Sequence, residues 1–106
     1  MTPSRQTALI TGAGNGIGRA IAIAMAENDR NVVCADIDLS AAETTAATIR
    51  QLGVEATALK VDVGETSEIS NMIQDIERQF GRLDILVNNA GVTRAADIME
   101  LTEVDW

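Results

Sequence analysis

Histidine and tyrosine are both missing from this 106-residue chain. Without histidine, the commonest general base and metal ligand is gone. Without either side chain, no obvious group remains to exchange a substrate proton near neutral pH. Cysteine occurs once, at Cys34. A lone cysteine cannot form an intrachain disulfide, and in an apolar run it reads as a buried, inert thiol. Long hydrophobic runs are lacking too: none approaches the roughly 18 apolar residues of a membrane span. Residues Met1 to Gln6 are polar and the apolar run after them breaks at Gly12, which does not fit a signal peptide. A cytoplasmic location is therefore expected. Positive charge is scarce, and the net charge is −8. Nucleic acid and anionic membranes are excluded as expected partners on that balance.

What is present is enough for one small domain with a core, since 46% of the residues are hydrophobic. Its organising stretch is Thr11-Gly12-Ala13-Gly14-Asn15-Gly16-Ile17-Gly18. The apolar run Thr7 to Ile10 before it reads as a buried strand. Ile17, Ala20, Ile21, Ala24 and Met25 after it have the spacing of one helical face. The glycines thus occupy a tight strand-to-helix turn. Gly12 and Gly14 are expected to turn the backbone and bring bare N–H groups to the surface. The helix start adds its own unpaired N–H groups and positive dipole end, so an anion such as a pyrophosphate fits over the turn. Gly18, lacking a Cβ, lets helix and strand pack closely. No Gly-Lys-Ser/Thr follows, which argues against a nucleoside-triphosphatase phosphate loop.

The rest of the chain repeats the strand–helix alternation. Strands are expected at about Gln6–Ile10, Val32–Ala35, Ala56–Val61 and Leu83–Val87. The first helix is expected over about Gly16–Asn28. Ser40-Ala41-Ala42-Glu43 has the form of a capping box opening the second, striped by Leu39, Ala42, Ala46 and Ile49, with Gly53 stopping it. The third carries Ile69, Met72, Ile73, Ile76 and Phe80 on one face and ends at Gly81. A short helical turn is expected near Asp97–Leu101, and Thr102 looks like the cap of a further helix. Alternation with apolar strands implies an α/β fold, a doubly wound parallel sheet covered on both faces. The expected strand order is 3-2-1-4.

In such a sheet, ligands bind beyond the carboxyl ends of the strands. Asp36 falls there, roughly 20 residues past the glycine turn, where a ribose-binding carboxylate is expected. It would accept hydrogen bonds from ribose hydroxyls and repel a 2′-phosphate, favouring NAD over NADP. Ile37 places no positive charge beside it, and Asp38 competes with it for the role of helix cap. Asp62-Val63 follows the third strand, where an aspartate also commonly caps a helix. Asn88-Asn89-Ala90-Gly91 follows the fourth.

The pattern T-G-x-x-x-G-x-G, with Gly12, Gly16 and Gly18 at the fixed places, resembles the short-chain dehydrogenase/reductase family, as does Asn88-Asn89-Ala90-Gly91 behind an apolar strand. The resemblance covers the whole chain, 1–106, as an NAD-binding Rossmann-like domain, but only the first part of the family's fold. It implies that Gly12, Asn15, Gly16, Ile17 and Gly18 border the cofactor, with Asn15 standing where NADP-preferring relatives often carry a basic residue. It implies that Asp62 and Val63 hold the adenine, that the Asn89, Ala90 and Gly91 backbone lies along the nicotinamide ribose, and that Asn88 supports the sheet. The family's catalytic Ser and Tyr-x-x-x-Lys would lie beyond Trp106. Lys60, the single lysine, sits in the third strand and cannot be their partner. The implied parent is an NAD-dependent, homo-oligomeric oxidoreductase acting on a small-molecule alcohol or ketone. In that fold the fourth strand is internal; within this stretch alone, its outer edge would stand open to pairing. A non-catalytic NAD-binding module is the alternative reading.

Overall fold

The computed structural model describes residues 5–89 together with the backbone of 101–103. Strand β1 (Thr7–Thr11) leads through the glycine turn to helix α1 (Gly16–Glu27). Strand β2 (Asn31–Asp36), helix α2 (Leu39–Arg50), strand β3 (Ala56–Lys60) and helix α3 (Thr66–Phe80) follow, then strands β4 (Ile85–Asn88) and β5 (Leu101–Glu103). The sheet order is β3-β2-β1-β4-β5. The first four strands are parallel, in the expected 3-2-1-4 arrangement.

Alternation along the strands explains the double winding. Ala8, Ile10, Val32 and Cys34 point to one face and pack with Ala22 and Ala26 of α1 and Ala42, Ala46 and Ile49 of α2. Leu9, Val33 and Ala35 point to the other and pack with Met72, Ile73 and Ile76 of α3. All five residues of β1 are buried, so this strand sits at the centre of both layers. A strand buried on both faces carries apolar side chains on both, which is why Ala8-Leu9-Ile10 shows no polar alternation and the threonines Thr7 and Thr11 stand at its ends.

Several local expectations are corrected. The buried side of α1 is Gly18, Ala22 and Ala26, while Ile17, Ala20 and Ala24 are exposed. The helix approaches the sheet so closely at Gly18 that small residues must face inward, and Ile21 and Met25 flank the contact. The cap of α2 is Asp38, whose side chain accepts from the Ala41 N–H, and not Ser40. Leu39, expected in the buried stripe, is 40% exposed. Thr102 opens no helix: it lies in β5, paired with Leu86 of β4. The outer edge of β4 is accordingly covered by β5, antiparallel, and not open. Pairing satisfies the backbone groups of that edge, and this outweighs the local capping pattern. Of the helical turn expected near Asp97–Leu101, Leu101 lies instead in β5, paired with Val87, and the rest falls outside the described residues.

At the opposite end of the sheet from the glycine turn, Asp84 fastens β1 to the segment before β4. Its carboxylate accepts the Thr7 N–H at 2.8 Å and two bonds from the Arg82 guanidinium at 2.7 Å. The Arg82 hydrogen bond, followed by the Thr7 N–H and the Arg82 charge, holds the Asp84 carboxyl below its ordinary value despite partial burial. A depressed folded value contributes stability above the unfolded value of about 3.9, and that contribution is lost as pH falls through the folded one. Asp84→Asn should lower stability at neutral pH by about 1.5–3 kcal/mol, because it removes charge-assisted bonds. Melts of wild type and variant should converge as the pH falls below about 4; parallel curves down to pH 2 would contradict this. Burial also pushes the Cys34 thiol up to about 12. Native protein should therefore resist thiol labelling at pH 8 and react only on unfolding.

Candidate functional site

Thr11 ends β1 and the chain turns at once. Gly12 has φ 65° and Gly16 φ 55°, the left-handed values that favour glycine. Gly14 is constrained differently. Its N–H is not bare, as expected from the sequence, but donates to Asp36 Oδ2 at 2.9 Å. A Cβ at Gly14 would come within 2.5 Å of Ala41 Cβ and 2.9 Å of that same oxygen. A Cβ at Gly18 would run into the carbonyl of Gly12 and the carboxamide of Asn89. Gly18 therefore does what its position suggested, and the reason is this three-way contact.

The start of α1 is open to an anion. Asn15 is the cap residue but makes no side-chain cap bond, and the first turn carries no acidic residue. The N–H groups of Gly16, Ile17 and Gly18 point beyond the helix end with no acceptor among the described residues. Asn15, Gly16 and Ile17 are exposed, Ile17 at 54%. An anion above this turn would meet backbone donors and the positive end of the helix dipole.

Asp36 closes β2 at the same edge. Its second oxygen, Oδ1, accepts the Asp38 N–H at 3.0 Å. Asp38 is used as a helix cap, which leaves Asp36 as the carboxylate beside the turn. Asp62 follows β3; its Oδ1 accepts the Gly64 N–H at 2.9 Å, and its own N–H donates to Glu68 at 3.1 Å. It does not cap α3, whose cap residue is Glu65. A cavity of about 290 Å³ is lined by Gly12, Asp36, Ile37, Val61, Asp62 and Val63. Residues 50 positions apart in sequence thus meet because β1, β2 and β3 are neighbours and end at one edge.

Asn88 and Asn89 brace the turn from β4. The Thr11 hydroxyl donates to Asn88 Oδ1 at 3.1 Å and accepts the Asn89 N–H at 3.0 Å. The Asn89 side-chain amide donates to the Gly12 carbonyl at 3.3 Å. Ala90 and Gly91 lie outside the described residues. Sequence reasoning missed Thr45, a fully buried hydroxyl on α2 that donates to the Ala13 carbonyl at 2.9 Å. The signal was available: Thr45 is the polar member of an inward face otherwise made of Ala42, Ala46 and Ile49.

The family model for short chain dehydrogenases matches residues 6–106. A Staphylococcus aureus 3-oxoacyl-acyl-carrier-protein reductase is 40% identical over 102 residues, covering 95% of this chain and 42% of that protein. The galactitol 2-dehydrogenase of Agrobacterium fabrum is 42% identical over 106 residues, covering 100% of this chain and 40% of the relative. The crystal structure of an Escherichia coli hydroxysteroid dehydrogenase superposes with a TM-score of 0.79 at 42% identity, over 84% of this chain and 38% of that one. The chain thus spans about two fifths of the length of the relatives it matches.

Gly18→Ala offers a test of the packing. The added methyl has backbone and a carboxamide in its path, so a loss of about 1–3 kcal/mol is expected from overpacking. Denaturant melts would show it, and an unchanged midpoint would contradict the close contact.

Proposed function

Because the chain belongs to the short-chain dehydrogenase/reductase family, which binds a nicotinamide cofactor, we propose that it is the amino-terminal, NAD-binding part of an oxidoreductase interconverting an alcohol and a ketone by hydride transfer. The observation that carries this reading is the meeting of Gly12, Asp36, Asp62 and Val63 around one cavity. Its volume suits the adenosine end of a dinucleotide, since small-molecule pockets begin at about 300 Å³. Beside it stands the uncapped, acid-free start of α1, which suits a diphosphate. When bound, NAD would supply the nicotinamide carbon that takes or gives the hydride.

The chain's own residues do the holding. Backbone N–H groups of Gly16, Ile17 and Gly18, beside the cap residue Asn15, receive the diphosphate without a basic side chain. Asp36 accepts from the ribose hydroxyls and disfavours a 2′-phosphate, and exposed Ile37 offers no compensating charge. Asp62 accepts from the adenine amino group while the Val63 N–H donates to the ring. The backbone of Asn89, Ala90 and Gly91 lies along the nicotinamide ribose. No residue of this chain is assigned the proton transfer: that role belongs to a Ser and a Tyr-x-x-x-Lys of the full-length parent. The same reading makes the parent a cytoplasmic homo-oligomer acting on a small-molecule substrate.

Two measurements test the proposal. The parent should show a higher kcat/KM with NAD(H) than with NADP(H), and Asp36→Ala should erode that ratio; a parent that prefers NADPH would refute the cofactor assignment. The purified 106-residue chain should produce no alcohol-dependent NADH, since it contains no tyrosine or histidine. Turnover by that chain, free of host enzymes, would refute the placement of the chemistry.

A further inference from the structure

We propose that Asp36 plays a second part, in which its carboxylate latches the glycine turn, so that cofactor selection and the order of the diphosphate-binding backbone depend on one side chain. The ligand half of this idea rests on the dinucleotide reading above; the latch itself does not. The Gly14 N–H donates to Asp36 Oδ2 at 2.9 Å, across 22 residues of sequence. The Gly14 backbone lies so close to α2 that a Cβ there would meet Ala41 at 2.5 Å. Absence of that atom lets the N–H reach the carboxylate.

The neighbouring Ala13 is tied to the same segment. Its N–H donates to the Ala35 carbonyl at 3.1 Å, and its own carbonyl accepts from Thr45 at 2.9 Å. Residues 13 and 14 are therefore held by three bonds, all from the β2–α2 segment. On either side stand Gly12 and Gly16, both left-handed and both without a side chain to limit their dihedrals. The turn has little stiffness of its own, and its shape is imposed by the tethers. Of the three, the Asp36 bond is the charge-assisted one, and such bonds are about twice as strong as neutral ones.

This has a consequence for cofactor choice. Asp36→Ala removes the charge that repels a 2′-phosphate, but it also leaves the Gly14 N–H without its acceptor. Asp36→Asn removes the same charge and keeps one oxygen able to accept that N–H, with the exposed Asp38 N–H that now meets the other oxygen left to water. The two variants are alike in charge and differ in the latch. An asparagine carboxamide can also donate to a 2′-phosphate, so NADP affinity does not separate the two roles; a diphosphate that carries no ribose does.

The test uses the full-length parent as wild type, Asp36→Ala and Asp36→Asn. Without cofactor, amide exchange at Gly14 should be about tenfold faster or more in Asp36→Ala, the factor that follows from losing one such bond. Amides of Leu9 and Ile10 in β1 should be unchanged, which separates a local latch from general destabilisation. Asp36→Asn should retain most of the Gly14 protection. Titration by calorimetry with inorganic pyrophosphate, which has no ribose to meet residue 36, should then show Asp36→Asn binding it more tightly than Asp36→Ala, by about fivefold or more. Equal Gly14 exchange in wild type and Asp36→Ala would overturn the latch, as would pyrophosphate binding to Asp36→Ala that matches or exceeds Asp36→Asn. A folded wild-type parent that binds neither dinucleotide would sink the cofactor reading instead, and Gly14 exchange would still decide the latch.

Discussion

The approach of α1 to the end of β1 is the constraint on which the site depends. Gly18 stands against the Gly12 carbonyl with the Asn89 carboxamide filling the space beside them. That contact sets the helix start over the turn and aims its N–H groups outward. It also suits the side of α1 that faces the sheet, since Gly18, Ala22 and Ala26 lie on one face and are small enough to follow the close approach. A larger residue at 18 would push the helix away and open both the core and the turn.

The sheet brings the other groups to that turn. Parallel strands with right-handed crossovers place every strand's carboxyl end at one edge. Thr11, Asp36, Asp62 and Asn88 are all carried to that edge by this rule, although they are scattered through the sequence. The opposite edge is fastened by Asp84 and Arg82, which do no work at the site but keep β1 and β4 in register. The division is physical: one end of the sheet is closed by ion pairing and the other is left with donors and acceptors aimed outward.

Much of this was legible in the sequence. The glycine spacing, the carboxylate roughly 20 residues on and the Asn-Asn pair behind a strand all stand where their pattern placed them. The strand order followed from right-handed crossovers and the doubly wound pattern. What escaped was set by contacts between distant segments. The inward face of α1 was misread because helical periodicity is blind to a neighbour 71 positions away, Asn89, that demands small residues. The role of Gly14 was misread because its N–H finds Asp36 only once β1 and β2 lie side by side. Ser40 had the capping-box pattern, yet Asp38 caps α2, since the end of β2 fixes where the helix can begin. Thr102 shows the same override, with strand pairing to β4 prevailing over a local helix signal.

The central claim is that the cavity between β2 and β3 and the open start of α1 form one dinucleotide site. Crystallography of the full-length parent with NAD tests it most directly. The account predicts adenine in the cavity between Ile37 and Val63, ribose hydroxyls on Asp36, and the diphosphate above the N–H groups of Gly16 to Gly18. A dinucleotide bound elsewhere, or one whose diphosphate makes no contact with this turn, would contradict it.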